Sequence, residues 1–145
     1  MKNRSVPANT ILPHIVYRNV PDAIAWLSHA FGFVEHYRYG DPPGPIGAQV
    51  HLGDAWMMLE TAKSNSSTPA QLGASTQSLT IFVDDVEAHY VKAKSAGATI
   101  VEDPHETIYG EVQYAALDLE GHHWLFSRHA KDVSPDAWGA KMAAR

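Results

Sequence analysis

Two stretches of the chain, IVYRNVPDAIAWLSHAFG (residues 15–32) and TIFVDDVEAHYVKAKSAG (residues 80–97), follow one pattern. A β-branched run leads through a capping residue into a short amphipathic stretch that stops at a glycine. Each reads as a strand entering a helix, with Gly32 or Gly97 in the left-handed stop position. In the first copy Ile11 to Arg18 forms the strand and Pro21 to Phe31 the helix, with Pro21 suited to the opening turn and Ile24, Leu27 and Phe31 on one face. Two copies of one unit imply a pseudo-symmetric domain whose cavity is lined by equivalent positions from each half.

Working outward, strands are predicted over Phe33 to Tyr39, Ala48 to Leu52 and Ala55 to Thr61, the last two joined by a tight turn at Gly53-Asp54. That completes a βαβββ module over about residues 11–62. Residues 63–77 are rich in Ser, Thr, Ala and Gln, contain Pro69 and Gly73, and read as a linker. The second module, about residues 78–129, has its helix from Val86 to Ala96, capped by Asp84 or Asp85 and burying Val86, Tyr90 and Ala93. Its later strands are predicted near Thr99 to Glu102, Val112 to Asp118 and His122 to His129, with Glu120-Gly121 in the place of Gly53-Asp54. Ser134-Pro135-Asp136 is a helix-start signal, so a C-terminal tail helix is expected within residues 134–144. The predicted class is α+β: two tandem βαβββ modules and a short C-terminal helix in one domain spanning residues 1–145.

Composition narrows the partners. Eleven Lys+Arg against sixteen Asp+Glu give a net charge of −5, without the basic excess that phosphate backbones require, so no nucleic-acid partner is expected. No apolar run is long enough for a bilayer and the first ten residues lack a signal core, so no membrane partner is expected and the protein reads as cytoplasmic. The absence of cysteine removes disulfides, thiol nucleophiles and thiolate metal sites. No Gly-x-Ser-x-Gly elbow is present, and the segment Asp41-Pro-Pro-Gly-Pro-Ile-Gly47 is too proline-rich to present consecutive N–H groups to a phosphate.

The module repeat, the Val83-Asp84-Asp85-Val86 junction, Ala96-Gly97-Ala98, Tyr109-Gly110 and Asp118-Leu-Glu-Gly-His-His-Trp-Leu-Phe126 together resemble the vicinal oxygen chelate superfamily of glyoxalase I, bleomycin-resistance proteins and extradiol dioxygenases. The resemblance covers roughly Ile11 to His129 and is most similar to the glyoxalase/bleomycin-resistance-like branch. It implies an eight-stranded, cup-shaped sheet, a homodimer and a ligand in the cup. In the metal-dependent members each module supplies a ligand from its first strand and a carboxylate from its last. Those positions fall here on Leu12, Met58, Ser78 and Leu125, a set that offers no good donor, so no cofactor is expected.

Two residues beyond the first pair of positions, on the same strand faces, stand His14 and Glu60, which could form a displaced divalent-metal site. The competing reading is a strand histidine that meets ligand or a hydrogen-bond partner, and a carboxylate that is either solvated or the polar anchor of a pocket. His122 and His123 are not a chelating pair, because neighbours on a strand face opposite ways. By parity with Leu125 His123 lines the cup, while His122 joins Trp124 and Phe126 on the helix side. His29, His36, His51, His89, His105 and His129 lack metal-binding spacing and are read as incidental. Glu111 is the one general-base alternative, against a solvated loop carboxylate.

Three functions fit these residues. The preferred one is a small-molecule-binding protein with a degenerate metal site, sequestering a drug or metabolite, with His14, Trp56, Met58, Glu60, Tyr114, His123 and Leu125 contacting the ligand. A metal-dependent lyase, isomerase or dioxygenase built on His14 and Glu60 is the second. The third is an accessory dimer without ligand, packed through Trp138 and the C-terminal helix. Whether the protein is an enzyme is left open by the sequence.

Overall fold

The computed structural model describes residues 1–8 and 10–144. Helix α1, Val20–Phe31, follows strand β1, His14–Tyr17, because Asn19 breaks the extended run and its side chain accepts the Asp22 N–H. Val20, Ala23, Ile24, Leu27, Ala30 and Phe31 form the buried stripe. Gly32 ends the helix at φ +83°, a backbone conformation that side chains strain to adopt. Strands β2, Val34–Tyr39, β3, Gly47–Leu52, and β4, Ala55–Thr61, follow, giving a sheet in the order β1-β4-β3-β2.

The second module repeats this. Strand β5, Ser78–Phe82, leads to α3, Val86–Ser95, capped by Asp85 through the Ala88 N–H. Strands β6, Thr99–Glu106, β7, Glu111–Leu117, and β8, His123–His129, complete a sheet in the order β5-β8-β7-β6. In both sheets the first strand runs parallel to the last, His14 opposite Met58 and Thr80 opposite Leu125. This fixes the equivalence of the halves: His14 corresponds to Thr80, Met58 to Leu125, Glu60 to Ser127 and Trp56 to His123.

Four elements differ from the sequence reading. Strand β1 begins at His14 instead of Ile11, which leaves Leu12 outside the strand. The expected linker contains α2, Pro69–Leu72, held by a reciprocal Thr68–Gln71 capping box. Strand β6 continues to Glu106, past the expected end at Glu102, with register shifts that let Pro104 ride on a sheet edge. The expected C-terminal helix is only a 3-10 turn, Pro135–Trp138, because Gly139 stops it at φ +96° and no side chain of the turn is buried against the core.

The helix-side faces of both sheets merge in one core. Phe31 at the end of α1 stands against Trp124 and Phe126 of β8, ring centroids 5.9 and 4.8 Å away. Around this core the modules are tied twice. At one end the buried Asp118 carboxylate accepts from Tyr17 Oη at 2.6 Å and Trp124 Nε1 at 3.0 Å, while its other oxygen accepts the Glu120 and His122 N–H groups. Beside it buried Glu120 takes Arg18 Nε at 2.9 Å and Thr68 Oγ1 at 3.0 Å. At the other end His89 Nε2 donates to the Phe31 carbonyl at 2.8 Å, and its Nδ1 accepts from Tyr114 Oη.

Candidate functional site

With the inner faces committed to packing, chemistry is left to the face of each sheet turned away from the helices. On the first sheet that face carries His14 on β1, Trp56, Met58 and Glu60 on β4, Gln49 and His51 on β3, and Tyr37 on β2, all in register. The alternation of β4 explains the placement: Met57 and Leu59 are buried under α1, so the residues between them point the other way.

His14 Nδ1 lies 2.6 Å from Glu60 Oε1, with the imidazole about half exposed and the carboxylate about one-third exposed. A carboxylate accepts only, so Nδ1 carries the proton and Nε2 is the nitrogen left for a ligand, an acceptor in the neutral ring and a donor in the charged one. Beneath the pair the fully buried Gln49 donates from Nε2 to Met58 Sδ at 3.4 Å, and its Oε1 accepts from His36 Nδ1 at 2.6 Å. His36 reaches this face because a bulge at residues 35–37 inserts it as an extra residue. Trp56 stacks on His51 at 4.2 Å and meets the edge of His36 at 5.3 Å. Tyr37 Oη donates to the Ser5 carbonyl, so the N-terminal segment lies beside this face, bounding a groove of about 750 Å³ with Lys2, Arg4, His36 and Tyr37 on its walls.

The second sheet's open face is chemically unlike the first. His123 and Leu125 are half-buried on it, as parity predicts, and Ser127 Oγ donates to Gln113 Oε1 at 3.0 Å. Tyr114 is not on this face, which corrects its assignment to the ligand set. It is fully buried on the helix side, edge to face with Tyr90 at 5.3 Å and stacked on Phe126, and burial pushes its phenol far above the ordinary value. His122, just before β8, meets Tyr17 edge to face with centroids 4.9 Å apart, its Nε2 donating to the Val16 carbonyl at 2.7 Å. Three histidines read as incidental have defined roles: His36 and His51 in the aromatic cluster, and His89 in the seam. Burial lowers the His89 pKa, with the Phe31 carbonyl opposing and Lys92 adding to the shift.

The fold of two such modules and the whole-length pattern are matched by known proteins. Residues 9–126 match the model of the Glyoxalase/Bleomycin resistance protein/Dioxygenase superfamily. The chain belongs to this superfamily. An uncharacterized protein of Mycobacterium tuberculosis is 30% identical over 142 residues, covering 92% of this chain and 82% of that one. The crystal structure of TioX from Micromonospora sp. ML1 superposes with a TM-score of 0.67 at 28% identity, covering 87% of this chain and 100% of TioX. A glyoxalase I variant from Zea mays gives 0.64 at 19% identity over 83% of this chain and 46% of that one, a likeness of fold alone. Against the ligand positions implied for metal-dependent superfamily members, Met58 sits opposite His14 and Ser78 opposite His123. His14 and Glu60 contribute two donors already bonded to each other, and among the described residues no third His, Asp or Glu joins a group able to hold a metal ion. A catalytic zinc takes three protein ligands, one more than this pair supplies, so the donor set does not fit a zinc centre.

Proposed function

We propose that this superfamily member is a small-molecule-binding protein whose ligand lies on the open face of the first sheet and is oriented by the His14–Glu60 pair. The observation that carries the reading is the 2.6 Å contact between those side chains above the Gln49–Met58 floor. A histidine whose Nδ1–H is held by a carboxylate presents Nε2 in one fixed direction, and in the neutral ring that nitrogen accepts from a ligand hydroxyl or N–H. Trp56, stacked on His51, supplies a flat apolar wall, and His14 borders a cleft of about 110 Å³ shared with Ser67, Pro69 and His122. His123 and Leu125 are offered to the same ligand from the second sheet, within a homodimer. No divalent metal takes part in this reading.

The test is a ligand screen by thermal shift on the wild type, His14→Ala and Glu60→Gln, with metal content measured by elemental mass spectrometry. Compounds that raise the wild-type midpoint and fail to raise that of either variant support the site, since a ligand bound only by the native state must stabilise it. Stabilisation that survives both substitutions moves the ligand elsewhere. Near-stoichiometric metal that is lost with His14 replaces the reading with a metal-dependent lyase or dioxygenase.

A further inference from the structure

At the far end of the second sheet, away from His14, Glu111 is left without an adequate partner. Its side chain is only 15% exposed, and its Oε2 is buried with no hydrogen-bond donor among the described residues. Its Oε1 has a single long contact, 3.3 Å, from Nδ1 of the exposed His129. Burying a carboxylate without compensation costs several kcal/mol, so a donor brought to this oxygen from outside the chain would be favoured. Among the described residues, Lys131 is engaged with Glu106 at 2.8 Å and Arg128 with Glu87 at 2.6 Å.

Two aromatic residues belong to the same end of the sheet: Tyr109 precedes Glu111 by two residues, and Trp138 meets Tyr109. The tail crosses so close to Gly110 that a side chain there would strike the Lys131 carbonyl, and this crossing carries the 3-10 turn back over the sheet end. Trp138 meets Tyr109 edge to face, centroids 5.9 Å apart, and both rings remain more than one-third exposed. Tyr109 Oη donates to Gln113 Oε1, which places the ring on the same open face as Glu111, two residues along β7. Gln113 Oε1 also accepts from Ser127, so the amide is fixed and its NH2 remains as a donor.

We propose that Glu111, Tyr109 and Trp138 form a binding site for an organic ammonium group, with Gln113 donating to an oxygen carried beside it. A buried carboxylate attracts the charge, and exposed tyrosine and tryptophan faces select an organic cation over a metal ion. No group of three ligating side chains accompanies Glu111 among the described residues, which disfavours an inorganic ion. The site does not use His14 or Glu60.

The experiment titrates choline, and its neutral isostere 3,3-dimethylbutan-1-ol, into the full chain while following the Trp138 indole N–H resonance, assigned with Trp138→Phe. Choline is expected to shift that resonance and the isostere is not. Glu111→Gln should weaken choline by about tenfold or more, while its thermal midpoint holds or rises because an uncompensated charge has been removed. Trp138→Ala should also weaken choline without changing the sedimentation coefficient. An equal response to both compounds, no response to choline at millimolar concentration, or undiminished binding in Glu111→Gln overturns the proposal. Dissociation of a dimer by Trp138→Ala, without choline binding, assigns the rings to a subunit interface instead. Since the readout rests on Trp138 and Glu111, its failure is separate from any failure at His14.

Discussion

The two sheets share a topology and almost nothing of the chemistry on their open faces. Where the first sheet has His14, Met58, Glu60 and Trp56, the equivalent positions of the second hold Thr80, Leu125, Ser127 and His123. The helix-side positions are far more alike: Ile15 and Ile81 are both buried, as are Leu59 and Phe126. Packing constrains the inner face, because each residue there must fill space against a helix, whereas the open face can vary without disturbing the core. Divergence between the copies is therefore concentrated where ligands would be met.

The comparison breaks most completely if the shared side is damaged. Asp118→Ala should destabilise the protein by about 3–5 kcal/mol in urea denaturation, because it strands the buried donors of Tyr17 and Trp124 and frees the turn N–H groups of Glu120 and His122. It should affect any ligand only through loss of folded protein. On the open face the order is reversed. His14→Ala should cost less than about 1 kcal/mol of stability, since its partner is partly solvated, yet abolish the ligand-induced thermal shift.

The seam offers a pH-dependent test of intermediate size. Burial holds the folded-state pKa of His89 below its unfolded value of about 6.5. Below that value the unfolded chain binds the proton more readily, so stability present above about pH 6.5 is lost as pH falls toward the folded pKa. Denaturation midpoints across this range should slope downward on acidification in the wild type and flatten in His89→Gln. The smallest effect belongs to the second sheet's counterpart of His14: Thr80→Ala should change stability by no more than about 0.5 kcal/mol and leave the thermal shift of a first-sheet ligand intact. A loss as large as that of His14→Ala would mean the two faces act as one site.

How much of this was readable beforehand depended on whether a signal was local. The repeat, both helices, the Asp85 cap and the facing of His14 and Glu60 rest on periodicity and capping within a few residues. Tyr114 is hard to place because the run Tyr114-Ala-Ala-Leu117 is apolar on both faces, so alternation does not say which way the ring points. His89 and His36 gained roles through partners 58 and 13 residues away, which no local pattern encodes. Thr68-Pro-Ala-Gln71 did carry a capping-box signal for α2, but without a following apolar face it resembled a polar linker. Glu111 was noticed as a carboxylate, while its missing donor is a fact of three dimensions.

The Glu120 junction also governs how two copies of this chain can trade parts. Its carboxylate grips Arg18 from the end of β1 and Thr68 from the connecting segment, and its carbonyl holds the Ala70 N–H. The segment that would have to act as a hinge is thus pinned to both modules. Exchange of a module between molecules must first open this junction and expose a buried ion, which adds a barrier absent from a plain flexible tether. Once folded, each chain should keep its own halves, and mixed species should form slowly unless the chains are unfolded together.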